Sequence, residues 1–231
     1  MCGRFSVDTD IEKLKQQFAV TTVEPLPKSR NVAPTEAALC LIATEEGLKA
    51  VQMRWGIVPW YAKGKKSMLL INARAEQAAE KPAFKQAIKY RRCLLIMNGF
   101  FEWQHHPKDN KTVKQPYYIH QKDNALLAVA AIWERFEPEP DLIIPSCCLL
   151  TTSPNELVSQ LHDRMPWFLD ETQQAKWLSP TPFSAEDVSL LLQQPQSVEL
   201  ACHPVTPKVN SALYKGDDCI EALSTDASMT E

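Results

Sequence analysis

A chain that contains Cys93-Leu94-Leu95-Ile96-Met97 has few ways to fold. Five successive apolar residues with no polar alternate make a strand covered on both faces, which requires packed layers on either side of its sheet. Past Gly99 the pattern continues into Phe100-Phe101-Glu102-Trp103, where one carboxylate sits among three aromatics. Other strands are predicted at 37–43 and 48–55 (joined by a turn at Glu46-Gly47), 68–72, 116–119, 125–133, 142–151 and 198–205. Residues 104–115 read as a polar loop.

The helical segments are short. Ile11, Leu14 and Phe18 recur at helical spacing after Asp8 and Asp10. Residues 74–89 read as a helix with Ala78, Ala79, Phe84 and Ile88 inward, although Pro82 delays its regular part. Ser153-Pro154-Asn155-Glu156 reads as a capping box that opens a helix to about Gln160, and Ser184 opens another over 185–193. Pro25, Pro27 and Pro34 force an extended path through Arg30-Asn31-Val32-Ala33-Pro34-Thr35. The expectation is one α+β domain, mostly antiparallel, with short peripheral helices over residues 1–215. An acidic, mobile tail is expected over 216–231.

A chain of 231 residues with 45% hydrophobic content is long enough to bury a full core. No stretch approaches the roughly 18–20 apolar residues of a membrane span. Asp8, Asp10 and Glu12 stand where a signal peptide would be apolar, so a cytoplasmic protein is expected. Seven cysteines with no CxxC pair imply neither a disulfide framework nor a zinc site, and no metal or cofactor is expected. Cys40, Cys93, Cys147, Cys148 and Cys202 lie in apolar runs and read as buried thiols. The charge is unevenly spread: residues 1–115 hold 19 Lys and Arg against 11 Asp and Glu, and residues 116–231 hold 6 against 17. A polyanion would dock on the first half. Lys63, Lys65 and Lys66 form one candidate patch, and Lys89, Arg91 and Arg92 another.

Cys2 is the residue whose chemistry is most distinctive. Removal of Met1 would leave a 1,2-aminothiol, with an α-amine of pKa about 7.7–8 and a thiol of about 8.5. An aldehyde condenses with such an amine to an imine, and the thiol then closes a thiazolidine ring. Three strand ends carry polar groups that packing would not choose: Asn72 and Arg74 after Ile71, Glu102 among aromatics, and His162 before the Pro166 turn. Each has a plain structural alternative, as a loop cap, an outward carboxylate or a hydrogen-bonded core histidine. As a set they meet the needs of imine chemistry. A carboxylate in apolar surroundings has a raised pKa and can act as acid and base, histidine can protonate a sugar-ring oxygen, and an amide can hold an amine.

A second set suits single-stranded nucleic acid. Arg4, Arg30, Arg74 and Arg164 are phosphate candidates, while Trp60 and Tyr61, beside Lys63, are candidates for base stacking. Trp55 in the same stretch reads as core.

Met1-Cys2-Gly3-Arg4-Phe5, Asn31-Val32-Ala33-Pro34, Trp55-Gly56, Asn72-Ala73-Arg74-Ala75-Glu76, Gly99-Phe100-Phe101-Glu102-Trp103, His162-Asp163-Arg164-Met165-Pro166, His203-Pro204-Val205 and Val209-Asn210 occur in that order. Together they resemble the SRAP family, the abasic-site-processing proteins first named SOS-response-associated peptidases. The resemblance implies a single α+β domain with a barrel-like core and a basic channel for single-stranded DNA, and a role in the SOS response to DNA damage. It implies that Cys2 forms a covalent DNA–protein crosslink with an abasic deoxyribose. Asn72 would orient the amine, Glu102 would serve as general acid and base, and His162 would assist ring opening and crosslink reversal. Arg4, Arg74 and Arg164 would hold phosphates, Trp60, Tyr61 and Trp103 would line the DNA path, and Asn31 and Pro34 would shape the pocket at the missing base. Tyr61 stands where the family usually has Trp, and Gln77 where it often has Thr.

The reading is therefore a sensor of abasic sites in single-stranded DNA, with linked lyase activity and peptidase activity limited to autoprocessing. It is expected to be monomeric, to meet replication-fork proteins, and to associate with the nucleoid when bound to DNA. Two rivals are a cysteine-type hydrolase or autopeptidase using Cys2, His162 and Glu102, and a non-catalytic single-strand binder.

Overall fold

A computed structural model describes residues 2–62, 68–108, 111–139, 141–195 and 197–223. In chain order the elements are β1 (Phe5–Val7), α1 (Ile11–Phe18), β2 (Val20–Val23), β3 (Ser29–Val32), β4 (Ala37–Thr44), β5 (Gly47–Trp55), β6 (Asn72–Arg74), α2 (Ala75–Ala78), α3 (Lys85–Tyr90) and β7 (Arg92–Met97). Then follow β8 (Gly99–Lys108), β9 (Lys111–Gln121), β10 (Leu127–Glu139), β11 (Leu142–Thr152), α4 (Glu156–Ser159), β12 (Met165–Pro166), α5 (Glu171–Trp177), α6 (Ala185–Leu192) and β13 (Leu200–Pro204).

The strand Arg92–Met97 is buried at every position, as its unbroken apolar run requires. It lies between β4 and β10 in a sheet ordered β12-β11-β10-β7-β4-β5-β2. A parallel pairing of Ser146 with Arg54 and Cys147 with Trp55 joins β11 to β5, so five of these strands close on themselves. This is the barrel-like core of an α+β fold. A second sheet, β13-β9-β8-β1-β3, packs beside it. Phe100 joins the barrel's apolar cluster, whereas Phe101 joins a smaller one with Tyr118, Val205, Val209 and Cys219.

Several local expectations change. The chain leaves the barrel at Asn98, so β7 and β8 are two strands in different sheets rather than one continued strand. Residues 104–108 and 111–115, expected as a loop, pair as strands, with Gln104 opposite Gln115 and Lys108 opposite Lys111; residues 109–110 lie outside the described part. Met68–Asn72 is no strand: Leu70 makes a single bridge to Ile57, and the ladder with β11 begins at Asn72. The helix expected over 74–89 is two short ones, separated around Pro82, whose ring cannot continue an interior turn. Asn155, not Ser153, caps α4 through Val158 N–H at 2.9 Å. Ser184 and Asp187 form the reciprocal capping box of α6. Cys202 is exposed on β13, while Cys40, Cys93, Cys147 and Cys148 are buried and all are free thiols.

The segment after Gly216 is not a loose tail as far as Leu223. Asp217–Ile220 forms a 3-10 turn that buries Cys219, Arg30 pairs with Asp217, and Leu223 N–H donates to the Pro204 carbonyl at 3.0 Å. Residues 224–231 lie outside the described part.

Candidate active site

The site forms where the N-terminal end of β1 meets the C-terminal end of β11. The β1–β8 ladder runs on toward the N-terminus, with Phe101 N–H donating to the Arg4 carbonyl at 2.9 Å. Side chains alternate along β8. Phe101 and Trp103 therefore face the small cluster, and Glu102 returns to the side of Phe100, where it is 3% exposed. Cys2 is fully buried, and its thiol donates weakly to the Arg4 carbonyl at 3.6 Å.

Asn72 begins β6, which runs parallel to β11 in register with Leu149. Trp55, core as its setting predicts, fixes the approach by donating Nε1–H to the Ile71 carbonyl at 3.0 Å. The Asn72 amide then donates to the Cys2 carbonyl at 2.7 Å. Its own Oδ1 is buried without a hydrogen-bond partner among the described residues. On the other flank of β11, Thr151 and Thr152 pair with β12, and this ladder holds the turn that carries His162. One strand end thus positions both the amide and the imidazole.

The electrostatics follow from burial. Burial, with a smaller contribution from the charge of Asp163, pushes the Glu102 carboxyl up to about 7. Burial, then the nearby Glu102 charge, pushes the Cys2 thiol far above its ordinary value. Among the described residues no group of His, Cys, Asp and Glu is placed to hold a metal ion, and no helix is long and apolar enough to cross a membrane.

The candidates for DNA contact divide. Arg74 ends β6 with its side chain exposed, and Pro34 is half-buried. Tyr61 is 44% exposed in the turn Trp60–Ala62. The side chain of Trp60, with Lys63, Lys65 and Lys66, lies outside the described part. Arg4 is half-buried, its guanidinium donating to Asn31 Oδ1 and the Val209 carbonyl, both at 2.8 Å.

Asn31, read as a pocket residue, is a fully buried tie. Its amide nitrogen donates to the carbonyls of Val209, Ser211 and Tyr214, fastening the C-terminal segment. Trp103 donates to Asn210 Oδ1 at 2.6 Å. Arg164, read as a phosphate ligand, has its fork on Glu76 at 2.9 and 2.7 Å. Arg92, read as part of a basic patch, is buried. It donates to carbonyls of Trp177, Ile88, Lys89, Ser179 and Thr181 and lies 4.7 Å from the Phe183 ring centroid. Arg91 pairs with Glu134.

Sequence reasoning missed the tie between Glu76 and Arg164. Both residues lie in segments that it singled out, but nothing in a sequence pairs positions 88 apart.

The structure is a closed mixed barrel flanked by a second sheet, with a buried cysteine at position 2 whose carbonyl accepts from Asn72 and whose thiol feels the Glu102 charge. The chain belongs to the SOS response associated peptidase (SRAP) family, whose description matches residues 1–212. It is similar to a Bacillus subtilis protein named abasic site processing protein YoqW, 32% identical over 226 residues, covering 96% of this chain and 100% of the relative. A rat protein named abasic site processing protein HMCES is 29% identical over 198 residues, 73% of this chain and 55% of its own length. A crystal structure of a Bacteroides thetaiotaomicron protein shares the fold, with a TM-score of 0.81 at 21% identity over 96% of this chain and 100% of that one.

Proposed function

We propose that this protein recognises abasic sites in single-stranded DNA and, once Met1 is removed, caps their aldehyde as a thiazolidine crosslink on Cys2. The Cys2 amine adds to C1′ of the ring-opened deoxyribose, water leaves to give an imine, and the thiol sulfur adds to the imine carbon while its proton passes to nitrogen. Glu102, with a carboxyl pushed up to about 7, takes a proton from the attacking amine and returns one to the departing hydroxyl. His162 protonates the ring oxygen. Confinement makes closure effectively unimolecular, where effective molarities reach roughly 10⁵–10⁸ M.

The observation that carries this reading is the contact of Asn72 with the Cys2 backbone at 2.7 Å, with an Asn72 Oδ1 that has no partner among the described residues. That oxygen is a ready acceptor for the ammonium that Met1 removal would create. Abasic-site lyase activity follows from the same imine, which permits β-elimination. The hydrolase rival needs an easily ionised thiol, and burial pushes this one the other way. Arg74 and Arg4 are the phosphate contacts in this reading. The protein acts as a cytoplasmic monomer, at the nucleoid when on DNA, with replication-fork proteins as neighbours.

The test is to incubate Met1-free protein with single-stranded DNA carrying one abasic site and resolve the products on a denaturing gel. An adduct that needs both the abasic site and Cys2 supports the proposal. Peptide cleavage without an aldehyde-dependent adduct contradicts it.

A further inference from the structure

His162 Nδ1 has two competing partners. The backbone N–H of Arg164 donates to it at 3.0 Å, and Asp163 Oδ1 lies 2.7 Å away. One nitrogen cannot serve both at once. With a lone pair on Nδ1 it accepts from Arg164 and the proton sits on Nε2. With a proton on Nδ1 it donates to Asp163, which favours the imidazolium. The outcome depends on how firmly the Arg164 backbone is held.

It is held at three points. The Arg164 fork grips Glu76 on α2 bidentately, at 2.9 and 2.7 Å, and its Nη2 also donates to the Thr151 carbonyl at 2.6 Å. Thr151 is the residue of β11 that faces Arg74 of β6, and its hydroxyl donates to the Ala73 carbonyl. Bidentate Arg–carboxylate pairs fix geometry as well as charge. We infer that Glu76 is a positioning residue for His162, acting through Arg164, and that this clamp keeps the neutral imidazole protonated on Nε2.

The inference rests on the role proposed above for His162, because an Nε2–H is the proton offered to the sugar-ring oxygen. It also assigns Arg164 to the clamp rather than to a phosphate. Asp163 and Arg164 flank His162 on its own turn; Glu76 on α2 pairs with Arg164, and the Asp163 charge reaches Glu102 on β8.

The experiment follows the His162 ring nitrogens by NMR across a pH titration of the full chain without DNA. Wild type should show the Nε2–H tautomer when neutral. Glu76→Asp and Arg164→Lys both keep the net charge but lose the fork. Each should raise the His162 midpoint by about half a pH unit as Asp163 captures Nδ1–H, and Asp163→Asn should lower it. An Nδ1–H tautomer in wild type would overturn the inference, as would unshifted midpoints in both fork variants. The readout needs no DNA, so it stands apart from failure of the crosslinking reading, which the wild-type adduct assay detects.

Discussion

Cys2 and Cys148 make an instructive pair. Both are fully buried free thiols, and burial pushes both well up. Each makes one weak bond to a backbone carbonyl, at 3.6 Å to Arg4 and 3.7 Å to Leu149. What differs is the company. Both belong to the barrel's apolar cluster, but Cys2 also sits against Asn72 and under the charge of Glu102. Burial by itself makes a thiol inert. The polar groups around Cys2, the Asn72 amide, whose oxygen has no partner among the described residues, and the Glu102 carboxyl, pushed up to about 7, distinguish the two sites.

The largest test of that contrast exchanges the sulfur. Cys2→Ala should abolish the crosslink to abasic DNA. Cys148→Ala should leave it intact and lower stability by about 1–2 kcal/mol through the small void it creates, measured by denaturant unfolding. Loss of crosslinking in Cys148→Ala with an unchanged fold would break the comparison. Next in size, Glu102→Gln should slow crosslinking by roughly 10²–10⁴-fold, the usual contribution of a positioned acid–base group, read from single-turnover adduct formation. Asn72→Ala should slow the same step by about tenfold or more, since it loses one hydrogen bond to the nucleophile's backbone and an acceptor for its amine.

The smallest effect is on stability. The Glu102 carboxyl titrates at about 7 in the folded protein, against 4.5 ordinarily. Between those values the native state binds the extra proton, so Glu102 makes stability fall as pH rises from about 4.5 to about 7. Glu102→Gln removes that fall. Wild type should lose on the order of 2 kcal/mol relative to the variant between pH 5 and pH 8, as read from unfolding midpoints. Parallel profiles would mean that Glu102 is not held in a desolvated site.

The contrast also explains which parts of the molecule could be read in advance. The unbroken apolar run at 93–97 dictated a strand buried on both faces, whereas alternation alone left Glu102 free to point outward, and its burial appears only in the structure. Closure of the barrel was not legible, since the parallel β11–β5 pairing joins segments about 90 residues apart. The pairing of 104–108 with 111–115 was missed because polar residues form a hairpin ladder as readily as a loop. The partners of the arginines were not legible for a related reason. Arg92, expected in a basic patch, is buried with its fork on backbone carbonyls, and the Arg164 fork lies on Glu76. Asn31, expected at the pocket, holds residues 209–214 through its amide, a tie no sequence pattern announces.

The central claim is that the amine and the thiol of Cys2 both bond to one carbon. Intact-mass analysis of Met1-free protein with abasic single-stranded DNA, before and after borohydride, tests it directly. A thiazolidine predicts the summed masses less one water, unchanged by borohydride and absent in Cys2→Ala. A sum without loss of water, an adduct that gains two hydrogens, or no adduct on a free Cys2 would contradict it.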